Sequence, residues 1–398
     1  MITPKQSLLF FFSVSLLQTT ALAFTSQPTF TPRRLSVAMS ESKNGQVVVV
    51  GSANQDLTSY TSSVPVLGQT VMGKNFETSC GGKGANQAVA AACLGMVPVS
   101  MVCRVADDVF GKELLANFSK LAKTSKSKLL FCSKFLFISF NSYAGKSGVE
   151  FDEETTVLSS KEESSGVAAI TVDVNSGDNM IIVSPGTNFL LTADDVRESV
   201  KKLAEKIKPA VVLVQLEIKP EPALEALKVG KELGAITILN TAPAPEEFTL
   251  DDWYPYVDIL IPNETELQAI CGGGPNDSEE EMAKSLLERG VGKVLVTLGA
   301  RGAMIVEKLD SGDTEVTMVN APDDLPCKND PVEDTIGAGD AFCGALSTYL
   351  TAGLSLPEAA NKACGVASMS VRKRGAQTSY PTADILPDCL KLPAPVSR

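Results

Sequence analysis

The sequence predicts an α/β fold built on a doubly wound, mainly parallel β-sheet flanked by helices. Three observations carry this. Short apolar runs such as QVVVV, VSMVC, AVVLV and ITILN are continuous rather than alternating, as strands covered on both faces require. Helical stretches separate several of these runs, so strand and helix alternate along the chain. The glycine-rich turns follow strands, at the carboxyl ends where open sheets of this kind bind ligands.

In chain order, QVVVVGSANQD opens as a buried strand from Gln46 and ends in a turn. GANQAVAAACLG reads as a helix of small residues able to pack closely on a sheet. VSMVCRV is a second buried strand, and GKELLANFSKLAKT a helix after it. VAAITVD and NMIIVSP flank VNSGD and read as a hairpin. AVVLVQLEI, ITILNTAP and VDILIPN are strands, the first two separated by the helix EPALEALKVGKELG. KVLVTLGARGAMIVE reads as strand, glycine turn and strand.

Composition narrows the function. The 398 residues suffice for one large α/β domain or two smaller ones. A net charge of −12 leaves no basic stripe to neutralise phosphates, so no nucleic-acid partner is expected. The chain has no histidine, which excludes Ser-His-Asp and Cys-His catalysis and any histidine zinc site. Nine cysteines without a C-x-x-C pair read as reduced, mostly buried thiols.

Residues 1–40 contain no Asp or Glu and differ from the rest. SLLFFFSVSLL is an apolar run of 11 residues, too short to span a bilayer and suited to a signal-peptide core. ALA at 21–23 supplies small residues for cleavage, leaving Phe24 first, and an acid-free, Ser/Thr-rich stretch with Arg33 and Arg34 follows. We read 1–23 as a signal peptide and 24–43 as a transit-like segment. The pair resembles the bipartite presequences of algae with complex plastids, so a plastid location is expected. Secretory and cytoplasmic locations stay open, and no membrane attachment is expected of the mature chain. Residues 125–146 also stand apart: four of the 16 Phe fall in these 22 residues, and no acid does. They read as an insert, either lineage-specific or a translated intron, outside the core. An amphipathic surface hairpin is the alternative.

DTIGAGDAF, Asp334 to Phe342, carries the chemistry. Gly337, Ala338 and Gly339 let backbone N–H groups approach a ligand closely. A helix starting near Asp340 adds unpaired amides and a positive dipole end, together an anion hole. A carboxylate there suits a base that takes a proton from a hydroxyl attacking a phosphoryl group. A second glycine-rich string, GGKGANQAVAAACLG, lies upstream at 81–95. It is not a Walker A loop, because no Gly-Lys-Ser/Thr follows. Without other context each string would equally serve as a turn before a capped helix.

Together the two strings resemble the signatures of the ribokinase (PfkB) family of sugar kinases. The resemblance runs from about Val47 to Pro381, interrupted by 125–146. It implies a ribokinase-like fold with a small β-sheet lid, from about 57–78 and 166–186, within a kinase domain spanning 44–390. Lids of two subunits often pair, so a homodimer is expected. It also implies ATP-dependent phosphorylation of D-ribose at O5, because the motifs are most similar to those of ribose-phosphorylating members. Asp340 would be the base, with the amides of Gly337, Ala338 and Gly339 as the anion hole. GSANQD, GGKGAN and QLE would give Asn54, Asp56, Gly82, Lys83, Asn86 and Glu217 as sugar ligands. Carboxylates and amides suit a ring of hydroxyl groups. PNETE resembles the N-x-x-E motif and TLGARG the nucleotide loop. ATP would then meet Asn263, Thr297, Gly299, Gly302, Gly339 and Cys364. Glu266 would serve Mg²⁺ through water, as Mg²⁺ commonly keeps several waters. Asn263 and Glu266 also read as a helix cap with its capping box. A monovalent cation, normally K⁺, would be held by Asp334, backbone oxygens of Ile336, Ser370, Lys373 and Gly375, and the Ser379 region. A kinase for another sugar or nucleoside, and a non-catalytic plastid scaffold, remain alternatives.

Overall fold

The computed structural model describes residues 45–124, 136–140, 163–246, 248–274 and 277–392. The presequence expectations, and a strand region expected in GVEFDEETTVLSS, lie outside them. Thirteen strands fall within the described residues. They are β1 Gln46–Val50, β2 Asn54–Thr61, β3 Asn75–Gly81, β4 Val99–Cys103, β5 Leu136–Phe140, β6 Gly166–Asp173, β7 Asn179–Ser184, β8 Pro209–Val214, β9 Ile236–Asn240, β10 Ile259–Ile261, β11 Lys293–Thr297, β12 Ala303–Lys308 and β13 Thr314–Val319. The helices are α1 Lys83–Cys93, α2 Val109–Thr124, α3 Ala193–Lys206, α4 Pro220–Glu232, α5 Glu264–Cys271, α6 Glu279–Glu288, α7 Ala338–Thr351 and α8 Leu356–Ser370.

Nine strands form one sheet in the order β13-β12-β11-β10-β9-β8-β1-β4-β5. The run β11 to β4 is parallel, and β5, β12 and β13 are antiparallel additions at the edges. The continuous apolar strands have the physical cause expected of them. Val47 and Val49 of β1 pack on one face, against α1, α7 and α8. Val48 and Val50 pack on the other, against α3, α4 and α6. With side chains alternating at period two, both faces are core, so the strand positions are mostly apolar, and buried exceptions such as Ser100 and Thr237 are hydrogen-bonded.

The second sheet has four strands in the order β3-β2-β6-β7. It joins the expected hairpin, β6 with β7, to β2 and β3, with β2 and β6 parallel. This is the small lid sheet, and β2 begins at Asn54 itself.

Two strands go beyond the expected elements. TEVTMV forms β13 against β12 after an SGD turn. LFISF, inside the expected insert, forms β5 at the sheet edge against β4. Its aromatic and β-branched composition favours extended structure. That part of 125–146 therefore adds to the main sheet rather than lying apart from it. Among the described residues, no helix is long and apolar enough to cross a membrane.

Candidate active site

Val50, the last residue of β1, and Val214, the last of β8, are register partners in neighbouring parallel strands. From β1 the sheet continues to β4 on one side and through β8 to β9 on the other, so strand order reverses here. Such a reversal opens a crevice at the strand ends. Ser52 and Asn54 leave β1 into it, and Gln215 and Glu217 leave β8.

Glu217 Oε2 accepts from Ser52 Oγ at 2.6 Å, from the Lys83 amide at 3.0 Å and from Asn54 Nδ2 at 3.4 Å. Lys83 is the first residue of α1, so this carboxylate sits at a helix N-terminus, where the dipole favours it. All three contacts fall on Oε2; Oε1 has no partner among the described residues. Asn54 is buried and its Oδ1 accepts from Asn188 Nδ2 at 2.7 Å. Gly82 caps α1 with φ +88°, where a Cβ would lie 2.7 Å from the Asn54 amide. Its role in the structure is thus to let the start of α1 pass the turn between β1 and β2.

Helix α7 reaches the same crevice. A Cβ on Gly344 would lie 2.4 Å from the Gln87 carbonyl, so α1 and α7 approach closely at this glycine. That approach brings two consecutive α1 amides to Asp340, in the first turn of α7. Asn86 Nδ2 donates to Asp340 Oδ2 at 3.0 Å and Gln87 Nε2 to Oδ1 at 2.9 Å. Asp340 is 9% exposed. Burial raises its carboxyl above the usual range, while Lys83, Gln87 and Asn86 act to lower it. Burial, Glu217 and Asp340 push Asp56 up to about 7, opposed by Lys83. Burial disfavours the Lys83 charge, but Asp340, Glu217 and Glu266 outweigh that and hold its ammonium above the ordinary value. The expected sugar-side residues therefore share one electrostatic cluster, with Lys83 among the acids.

The start of α7 is built as a cradle. Gly337 caps it at φ +74°, and a Cβ there would lie 2.7 Å from Tyr380 Oη and 2.8 Å from Ala376 Cβ. Tyr380 Oη donates to the Gly337 carbonyl at 3.2 Å. Gly339 differs: nothing lies within 4 Å of where its Cβ would be. Packing requires glycine at 337, whereas at 339 the bare backbone faces open space. The Ala338 amide donates to the Thr335 carbonyl at 3.2 Å. The amides of Gly337, Gly339 and Asp340 have no acceptor among the described residues.

On the nucleotide side, Asn263 caps α5 and forms the expected capping box with Glu266. Glu266 Oε2 accepts from the Asn263 amide at 3.0 Å and Thr241 Oγ1 at 3.1 Å, and Oε1 accepts from Asn263 Nδ2 at 2.9 Å. Burial raises its carboxyl. Lone-pair capacity remains on Oε1, which fits a metal held through water. Asn263 and Thr297 are bridge partners, so the two are adjacent. Gly299 faces open space, while Gly302 packs against the Val319 carbonyl. Cys364, on α8, is buried and directs Sγ to that same carbonyl at 3.9 Å. Burial pushes its thiol up to about 12, so it serves as core packing here.

Asp334 ties two loops together. Its Oδ1 accepts from the Ile336 amide at 2.9 Å and its Oδ2 from the Gly375 amide at 2.8 Å. The Ser370 carbonyl takes the Lys373 amide at 3.2 Å, and Ser379 Oγ donates to the Ala376 carbonyl at 2.7 Å. Each of these oxygens keeps acceptor capacity, and hard oxygen donors suit an alkali cation. Among the described residues no three His, Cys, Asp or Glu side chains are grouped to hold a metal.

Four polar residues of the site come without a predicted role: Ser52, Gln87, Gln215 and Gln377. Ser52, Gln87 and Gln215 lie inside quoted strings and Gln377 beside the expected Ser379 region, but a hydroxyl or amide there carries no signal until its neighbours across the fold are known.

Residues 44–122 and 141–383 match the profile of the pfkB family carbohydrate kinases. The gap between the two matched stretches falls within and just before the expected insert. The chain is 34% identical to mouse ribokinase over 352 residues, 87% of this chain and 95% of that protein. It is 31% identical to a deoxyribokinase of Salmonella typhi, over 87% of this chain and 99% of that protein. The structure of Arabidopsis thaliana ribokinase complexed with ribose and ATP superposes with a TM-score of 0.66 at 27% identity, covering 88% of this chain and all of that one. The ribokinase-like α/β fold with its second small sheet, the cluster at the strand reversal and these matches converge: the chain belongs to the pfkB family of carbohydrate kinases and is a phosphotransferase of the ribokinase type.

Proposed function

We propose that the protein transfers the γ-phosphoryl group of ATP to O5 of D-ribose, giving D-ribose 5-phosphate and ADP. The observation that carries this is the placement of Asp340. Its carboxylate is held by Asn86 and Gln87 at the N-terminus of α7, beside the open space over Gly339 and within the cluster of Asp56, Lys83 and Glu217. Asp340 accepts the O5 proton as O5 attacks. The amides of Gly337, Gly339 and Asp340 receive the charge that develops on the transferring phosphoryl oxygens. Asn54, Asp56, Lys83 and Glu217, whose Oε1 has no partner among the described residues, hold the sugar hydroxyls. Asn86 already bonds Asp340 and Gln377, so its sugar contact adds to those bonds or replaces one. Asn263, Thr297, Gly299 and Gly302 line the nucleotide side.

Mg²⁺, when bound, neutralises charge on the phosphates, and Glu266 with Asn263 would hold it through water. Asp334 with the carbonyls of Ile336, Ser370, Lys373 and Gly375, and Ser379, would hold K⁺. The lid would close over the sugar and exclude water as a competing acceptor. We further propose that two lids pair in a homodimer and that the presequence directs the chain to a plastid. A reporter fused behind residues 1–43 tests the latter.

A second reading has its own support, since relatives of equal coverage include a deoxyribokinase. ATP consumption coupled to product identification by ³¹P–¹H NMR separates the two, with D-ribose and 2-deoxy-D-ribose compared as acceptors. Faster turnover of ribose, with the phosphorus coupled to the C5 protons, is expected. Preference for 2-deoxyribose favours the second reading, and turnover of neither contradicts both.

A further inference from the structure

The Asp340 carboxylate is the end point of two chains of side-chain amides. An ionised carboxylate only accepts hydrogen bonds, so Asn86 and Gln87 must turn their NH₂ groups to it. Their carbonyl oxygens then face away and can only accept. Gln87 Oε1 accepts from Gln215 Nε2 at 2.6 Å, and Asn86 Oδ1 accepts from Gln377 Nε2 at 3.0 Å. Gln377 Oε1 accepts in turn from Asn117 Nδ2 at 2.7 Å. Gln215–Gln87 and Asn117–Gln377–Asn86 thus run with their donors toward the same anion, one chain to each oxygen. Accepting a bond strengthens an amide as a donor, so the two chains reinforce each contact with Asp340.

Gln87 is the most constrained member. It is fully buried, with 0% exposure, on a helix whose neighbouring positions are mostly alanine. Its Nε2 also donates to Asn240 Oδ1 at 3.0 Å, and Asn240 Nδ2 donates to the Ile261 carbonyl at 2.8 Å. Gln87 is therefore anchored to the ends of β8 and β9, and through Asn240 to the end of β10. The arrangement also constrains β1, because Gln215 Oε1 lies 2.1 Å from where a Cβ on Gly51 would sit. Core packing at position 87 gives no reason for an amide; an apolar side chain of the same length would fill the space.

We propose that Gln87 is a positioning residue that fixes the Asp340 carboxylate for proton abstraction. The inference rests on Asp340 being the base. Lys83, Glu217, Glu266, Asp56, Cys343 and Tyr380 also face Asp340 and set the background against which Gln87 acts. Burial raises the Asp340 carboxyl and the Gln87 bond opposes that, so removing the bond raises it further.

The test is the pH profile of kcat/KM for the full chain and for Gln87→Met, with Gln215→Met and Asp340→Asn alongside. A hydrogen bond to a charged group is worth roughly one to two pH units, so the acid limb of Gln87→Met moves up by about that amount. Its sugar KM stays within about twofold, because the lost bond acts on the base rather than on sugar binding. Gln215→Met moves the limb in the same direction by less. An equal loss of rate at every pH, or no loss, overturns the proposal. If Gln87→Met does not fold, as judged by near-UV circular dichroism, Gln215→Met decides: an unmoved acid limb overturns it. Retained turnover in Asp340→Asn instead removes the base assignment, and the inference with it. An inactive Asp340→Asn beside an unmoved Gln87→Met limb leaves the base in place and removes only the role of Gln87.

Discussion

Asp56 shows how a single carboxylate ties binding to stability. The ordinary value for its carboxyl is 3.8, and in the fold burial with Glu217 and Asp340 carries it to about 7. Between those values the folded chain binds the proton more tightly than the unfolded one does. Stability therefore falls as pH rises through this window and is flat above it. Asp56→Asn removes that cost. The Tm of the ligand-free protein should rise by about 2–4 °C at alkaline pH and by less near pH 5, read by differential scanning calorimetry. An equal rise at both pH values would mean the carboxylate is not the cause. The same substitution should raise the KM for sugar, since a hydroxyl loses its charged acceptor. Residue types were the most legible part of the site. Asp340, Glu217 and Asp56 are readable as chemistry wherever they fall, whereas Gln87 and Gln215 gain meaning only from partners more than 100 residues away.

At the level of elements, α1 and α7 are pressed together by small residues, and two glycines of α7 answer to different demands. Gly344 touches the Gln87 backbone, while Gly339 faces open space. Gly344→Ala should lower stability by about 1–3 kcal/mol, because it forces the helices apart. Gly339→Ala should leave Tm unchanged or raised, because alanine favours a helix by about 0.5–1 kcal/mol over glycine. Its turnover should nonetheless fall by about 10²-fold, because the methyl displaces the transferring group. Thermal melts and steady-state rates on both variants check this, and a Gly339→Ala enzyme with full activity would contradict the cradle. The glycine strings were legible as helix starts, but the roles of single glycines were not. Gly337 answers to Tyr380 and Ala376, which no local pattern in DTIGAGDAF reveals.

For the whole molecule, the alternation of strands and helices was legible because a sheet buried on both faces strongly favours apolar strands. The edges were less so. β13 is partly exposed and β5 belongs to a segment whose composition matches no neighbouring element. The lid presents Phe76, Ile181 and Ile182, each more than half exposed at 59%, 52% and 62%. They lie on the two edge strands, β3 and β7, the positions open to pairing with a second sheet. If the lids pair, Ile182→Lys should shift the sedimentation coefficient from dimer toward monomer, and an unchanged coefficient would place any dimer contact elsewhere.

Asp340 is proposed to take the proton from O5 of D-ribose while the start of α7 holds the phosphoryl group. The most direct measurement pairs the turnover of Asp340→Asn with calorimetric titration of D-ribose into the same protein. The expected result is a fall in kcat of about 10²–10⁴-fold with ribose affinity kept within a few-fold. Turnover within a few-fold of the unsubstituted enzyme would contradict it.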